Sequence, residues 1–75
     1  MERLIEILEE IKDDVDFREC TNLIDGGYLD SFDILQLISA LDDEYDISIP
    51  ASEIIPKNFN SAEALYEMVQ RLINE

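Results

Sequence analysis

The sequence predicts an all-α fold: a small four-helix bundle with three main helices, one short third helix and a long loop between the first two. Two observations carry this reading. Apolar side chains recur at helical spacing in three separate segments of the 75 residues. Between the first two of these segments, residues 14–29 show no clear period. A connection of that length is unusual in a compact domain and is often functional. A chain this short builds one modest core, so residues 1–75 are expected to form a single domain.

The first helix is expected over residues 2 to about 13. Leu4, Leu8, Ile11 and Val15 make its stripe, with Ile5 and Ile7 broadening it, while Glu6, Glu9 and Glu10 face water. Glu9 lies one turn from Lys12, a spacing at which ion pairs help slightly. In the loop, Val15, Phe17, Leu23, Ile24 and Leu29 are the expected anchors, and Gly26-Gly27 allows a sharp turn before the next helix. The second helix is expected from Ser31 to about Tyr45. Phe32, Leu35, Ile38 and Leu41 form its core stripe, with Leu37 and Tyr45 beside it and Ile34 and Ala40 turned toward another face. Ile47 and Ile49 suit an extended connection. A short third helical turn over residues 51–55 would begin near Pro50 and end at Pro56. Phe59 plugs the core. Asn60 or Ser61 caps the last helix, Asn60 with Glu63 having capping-box spacing. Ala62, Leu65, Val69 and Leu72 form that helix's stripe, flanked by Tyr66, Met68 and Ile73.

Charge narrows the function. Five Lys and Arg stand against nineteen Asp and Glu, a net charge of −14. Nucleic-acid binders need cationic surface to displace counterions, and anionic membranes repel such a chain. Between Arg18 and Lys57 there is no basic residue but nine acids. That single-sign field suits docking onto basic partner surfaces, and the like charge favours a monomer. Without histidine there is no Ser-His-Asp or Cys-His nucleophile and no His/Cys metal site. The acidic runs lack the central glycine and ligand spacing of a calcium loop, and no Gly-rich loop leads into Lys-Ser or Lys-Thr. The chain is not expected to be an enzyme or to hold a metal. Its single cysteine, Cys20, cannot form an internal disulfide, no apolar run spans a membrane, and the N-terminus lacks a signal core. A cytoplasmic location is expected.

The stretch Asp25-Gly26-Gly27-Tyr28-Leu29-Asp30-Ser31-Phe32 places one hydroxyl where a flexible loop becomes a helix. Helix starts favour Ser and Asp caps and early acids, so Asp30-Ser31 reads first as an N-cap pair. Its context says more. The segment from Leu23 to Pro50, with Leu29-Asp30-Ser31-Phe32-Asp33, the acidic-apolar helix and Asp46-Ile47-Ser48-Ile49-Pro50, resembles the acyl carrier protein family, and the tail Phe59-Asn60-Ser61 also fits. The resemblance covers nearly the whole chain. It implies an acyl-carrier-like bundle with a 4′-phosphopantetheine arm, taken from coenzyme A, on Ser31. It implies a phosphopantetheinyl transferase and acyl- or aminoacyl-loading enzymes with basic docking patches as partners. The docking face would comprise Asp30, Asp33, Ile34, Gln36, Ser39, Asp42 and Asp43. Ile34 would be an apolar contact if exposed. Gln36 stands where many fatty-acid members have an acid, and Ser39 where they often have a larger apolar residue.

Two functions of different class follow. The first is a stand-alone acyl carrier of fatty-acid, polyketide or specialised pathways, ranked above a D-alanyl carrier for teichoic acids, which shares the Leu-Asp-Ser core. The second is an acidic helical interaction module in which Ser31 is an unmodified cap.

Overall fold

The computed structural model describes residues 2–74. Helix α1, Glu2–Ile11, leads into the long loop. It is followed by α2, Ser31–Tyr45, a 3₁₀ turn at Ala51–Glu53, the short α3, Pro56–Phe59, and α4, Ala62–Ile73. There is no strand among the described residues. Helix α1 packs chiefly on α2, and α4 lies across α1 and α2 with α3 against it. The core between them takes Leu4, Ile5, Ile7 and Leu8 from α1, Leu37 and Leu41 from α2, and Ala62, Leu65, Met68 and Val69 from α4. Phe17, Leu23 and Leu29 from the long loop, Ile49 from the connection after α2 and Phe59 from α3 complete it. The segments outside the three long helices are thus pinned by large side chains whose burial favours the folded chain by roughly 1.5–3 kcal/mol apiece.

Three sequence expectations are corrected, and one left open between two residues is resolved. Helix α1 stops at Ile11, two residues early, although the Lys12 N–H still reaches the Leu8 carbonyl at 2.9 Å. In α2, Phe32 and Leu35 are not core: they are 77% and 64% exposed, and the inward face is Leu37 and Leu41 with Ile34, Ile38 and Tyr45 half-buried at its edges. Apolar residues lie on more than one side of this helix, so its own spacing allows more than one inward phase. Pro56 opens α3 rather than closing the turn before it, because a proline at the first helical position gives up a donor that has no intrahelical partner anyway. Ser61, not Asn60, caps α4, its hydroxyl accepting the Ala64 N–H at 3.0 Å.

Asn60 does something else. Its Oδ1 accepts the N–H groups of Ile24 (3.0 Å) and Asp25 (3.1 Å), its Nδ2 donates to Asp25 Oδ2, and its carbonyl accepts the Leu23 N–H at 2.8 Å. The loop before Ser31 is therefore tied to the start of α4. The turn that follows is shaped by its glycines. Gly27 has φ +77°, in the left-handed region. At Gly26 a Cβ would sit 2.7 Å from the Asn22 carbonyl oxygen, whose acceptance of the Gly26 N–H at 2.6 Å closes the turn.

Asn60→Ala should remove the acceptor from two loop donors and cost about 1–3 kcal/mol in urea unfolding. Amide exchange at Ile24 and Asp25 should rise more than exchange at Leu65 in α4; equal protection of those two loop amides in the variant would contradict the tether.

Candidate functional site

Helix α2 begins with Asp30 as its N-cap. The Asp30 carboxylate accepts the Asp33 N–H at 2.9 Å, and the Asp33 carboxylate accepts the Asp30 N–H at 3.2 Å. This is a reciprocal capping box with aspartate at both ends. The sequence reading shared the cap between Asp30 and Ser31. The geometry gives it to Asp30, and leaves Ser31 at the first helical position, exposed, with its side chain outside the cap. A serine that caps a helix has its oxygen occupied by backbone; this one does not.

The Asp33 carboxylate is the most engaged acid in the site. Its Oδ2 also accepts from Lys12 Nζ at 3.1 Å, with the Asp33 side chain 13% exposed. Burial alone would raise its pKa. The Asp30 N–H and the Lys12 ammonium outweigh that and hold the carboxyl below the usual aspartate range. The same contact raises the Lys12 pKa. Lys12 thus pairs across to α2 and not with Glu9 one turn before it.

The other expected docking residues divide between two environments. Asp42 is half-buried, its Oδ1 accepting the Ile49 N–H at 3.2 Å and its carbonyl the N–H groups of Asp46 and Ile47. Ile34 is half-buried against the core, so it is not the exposed apolar contact that the sequence suggested. Phe32 and Leu35 hold that position instead, and Gln36, Ser39 and Asp43 share the exposed surface with them. Sequence periodicity missed Phe32 and Leu35 because it counted them as core. Beside Ser31 runs an open groove of about 540 Å³ walled by Ile24, Leu29, Ile34, Leu35, Ile38 and Ile54. It shares Ile24, Ile34 and Ile54 with a hollow of about 110 Å³ that Phe59 and Pro56 help to close.

A helical bundle that presents one uncommitted hydroxyl at a helix N-terminus, beside an apolar groove and within an acidic field, has the form of a carrier domain. Comparison with known proteins agrees. The family described as "Phosphopantetheine attachment site" matches residues 2–69. The chain is 38% identical over 72 residues to a D-alanyl carrier protein of Streptococcus sanguinis, covering 95% of this chain and 91% of that one. It is 34% identical over 76 residues to a D-alanyl carrier protein of Lactococcus lactis subsp. cremoris, covering 99% and 96%. It is 41% identical over 63 residues to aminoacyl carrier protein 1 of Bradyrhizobium diazoefficiens, covering 84% and 69%. The chain belongs to the phosphopantetheine-binding carrier protein family, and its cofactor is covalently attached 4′-phosphopantetheine. No helix among the described residues is long and apolar enough to cross a membrane.

Two predictions follow from this geometry. Asp30→Ala should cost about 0.5–2 kcal/mol, as the loss of a helix cap does, whereas Ser31→Ala should stay within about 0.5 kcal/mol of wild type in the same denaturation assay. The second concerns pH. The folded pKa of Asp33 is depressed, so its stabilising contribution is present above the unfolded value of about 3.9 and fades as pH falls through the lower folded value. The stability gap between wild type and Asp33→Asn should therefore be full above about pH 5 and shrink below about pH 4. A gap independent of pH would show that the charge on Asp33 is not what stabilises the cap.

Proposed function

We propose that residues 1–75 act as one carrier domain that bears its phosphopantetheine arm on Ser31 and delivers a small acyl or aminoacyl cargo, D-alanine being the first candidate. The observation that carries the assignment of Ser31 is the division of labour at the start of α2: Asp30 satisfies the cap and Ser31 is left exposed. The residues fit the group. A phosphodiester on Ser31 would sit at the positive end of the helix dipole, and the isoleucine-lined groove offers an apolar wall to an arm lying along α2. When bound, the arm supplies a terminal thiol that holds cargo as a thioester. The protein's own part is to present the hydroxyl, keep the arm's root fixed and offer a surface that successive enzymes can engage and leave.

That surface is the exposed side of α2. Phe32 and Leu35 provide an apolar contact within a field of carboxylates, which is how weak, fast-exchanging interfaces are built. Its partners are expected to be a phosphopantetheinyl transferase and loading enzymes with basic patches around an apolar recess. Asp30 and Asp43 face outward and contribute to the field directly, while Asp33 and Asp42 contribute from positions already engaged within the fold.

The preference for an aminoacyl cargo reverses the ranking drawn from the sequence. It is supported by relatives that carry D-alanyl and aminoacyl names across nearly the whole of this chain, and by Gln36 and Ser39 where many fatty-acid carriers have an acid and a larger apolar residue. A fatty-acyl or polyketide carrier is the second reading, favoured by the apolar groove beside Ser31.

Intact-mass measurement after incubation with coenzyme A, magnesium and a broad-specificity phosphopantetheinyl transferase should show one phosphopantetheine increment on the wild type and none on Ser31→Ala. An increment on both would move the attachment site; none on the folded wild type would leave the interaction module. The holo form should then accept D-alanine from a D-alanine-activating ligase and refuse malonyl from a malonyl transferase, and the opposite result would restore the fatty-acid or polyketide reading.

A further inference from the structure

The role of Ser31 proposed above makes its placement a functional quantity, and one residue outside α2 touches the structure around it. Lys12 is the first residue beyond α1. Its N–H bond to Leu8 continues the helix's last turn and fixes where its side chain starts. From there Nζ reaches 3.1 Å to Asp33 Oδ2, across 21 residues of sequence. That same oxygen accepts the Asp30 N–H, and Asp30 in return accepts the Asp33 N–H. Lys12, Asp33 and Asp30 form one continuous chain of charge-assisted hydrogen bonds. Ser31 and Phe32 are the two residues enclosed by the Asp30–Asp33 box, so any loosening of the box moves the hydroxyl and the exposed aromatic side chain together. The box brings two acidic residues together at one helix start, and the Lys12 ammonium is, among the described residues, the cation that reaches it.

We propose that Lys12 is a positioning residue for the modification of Ser31: its ammonium clamps the Asp30–Asp33 capping box and so holds the serine hydroxyl in the orientation that a transferase meets. The proposal rests on Ser31 being the attachment point. It differs in sign from a role in charge steering. Replacing Lys12 with a neutral residue makes an already acidic carrier one charge more acidic, which would draw it more strongly to a basic transferase and lower KM. Loss of the clamp instead acts on the step that follows docking. A misplacement of about 1 Å at a reacting group can cost roughly 100-fold in rate, so a loosened but unbroken cap should cost about three- to tenfold in kcat.

The experiment is steady-state transfer of phosphopantetheine from coenzyme A by one transferase, followed by intact mass over a range of carrier concentrations. The carriers are wild type, Lys12→Met, Lys12→Arg and Asp33→Asn, each also examined by amide exchange. Lys12→Met should lower kcat about three- to tenfold with KM unchanged or reduced. Exchange should rise at the Asp33 amide while Leu65 and Val69 stay protected, and Lys12→Arg should recover most of the rate. Asp33→Asn keeps the shape of the side chain and an oxygen for the Asp30 N–H, and should repeat the loss, so a poorly folded Lys12→Met does not decide the matter. Wild-type kcat in both Lys12→Met and Asp33→Asn would overturn the clamp while leaving Ser31 as the site. A wild-type chain that takes no arm, or a Ser31→Ala chain that still takes one, would overturn the assignment of Ser31 and the clamp with it.

Discussion

Nineteen carboxylates and five cations must be folded into one small bundle, and this imbalance governs where the cations go. Four of them join separate parts of the fold. Arg18, in the loop, grips Glu2 at the start of α1 through both oxygens; Arg3 reaches Glu44 near the end of α2; Lys12 reaches Asp33 at its beginning; and Arg71 of α4 holds Glu53 of the 3₁₀ turn. Exposed ion pairs contribute little energy individually. Their distribution matters more than their strength, because each places a positive charge where two acidic elements would otherwise face one another.

The pair at Lys12 differs from the others in what it touches. Glu2, Glu44 and Glu53 meet their arginines away from the start of α2, whereas Asp33 lies within the structure that presents Ser31. Asparagine chemistry completes the frame. Asn60 ties the backbone of Ile24 and Asp25 to the approach of α4, so the loop that delivers Asp30 is held from one side while Lys12 holds the first turn of α2 from the other. Ser31 is exposed while the backbone on either side of it is tied by hydrogen bonds. The proposed attachment of an arm at Ser31 would draw on that combination.

The acids of α2 also perform two kinds of work that composition alone does not distinguish. Asp33 and Asp42 are half-buried and make hydrogen bonds that shape the helix ends and the chain beyond them; Asp30 makes the cap bond yet stays exposed, and Asp43 stands outward beside Gln36 and Ser39. The long-range negative field is the sum of all of them, but only the outward groups are placed for direct contact. With Phe32 and Leu35 at its centre, the exposed side of α2 presents an apolar patch that lies next to Ser31 and not in the core.

The all-helical class, the long loop between the first two helices and the apolar stripes of α1 and α4 were legible in the sequence, because each depends on local spacing. The absence of histidine likewise removed whole classes of catalysis without reference to shape. The inward face of α2 was not legible: Phe32, Ile34, Leu35, Leu37, Ile38 and Leu41 are spread around the helix and do not fall on one stripe, and the surfaces of α1 and α4 select Leu37 and Leu41. Nor could spacing separate Asp30 from Ser31 as the cap, or Asn60 from Ser61, since both members of each pair have the right chemistry and only the backbone path decides which oxygen reaches the free N–H. The Lys12–Asp33 and Asn60–Ile24 bonds join residues 21 and 36 positions apart, a separation at which no local pattern operates and only the packed tertiary structure brings the partners together.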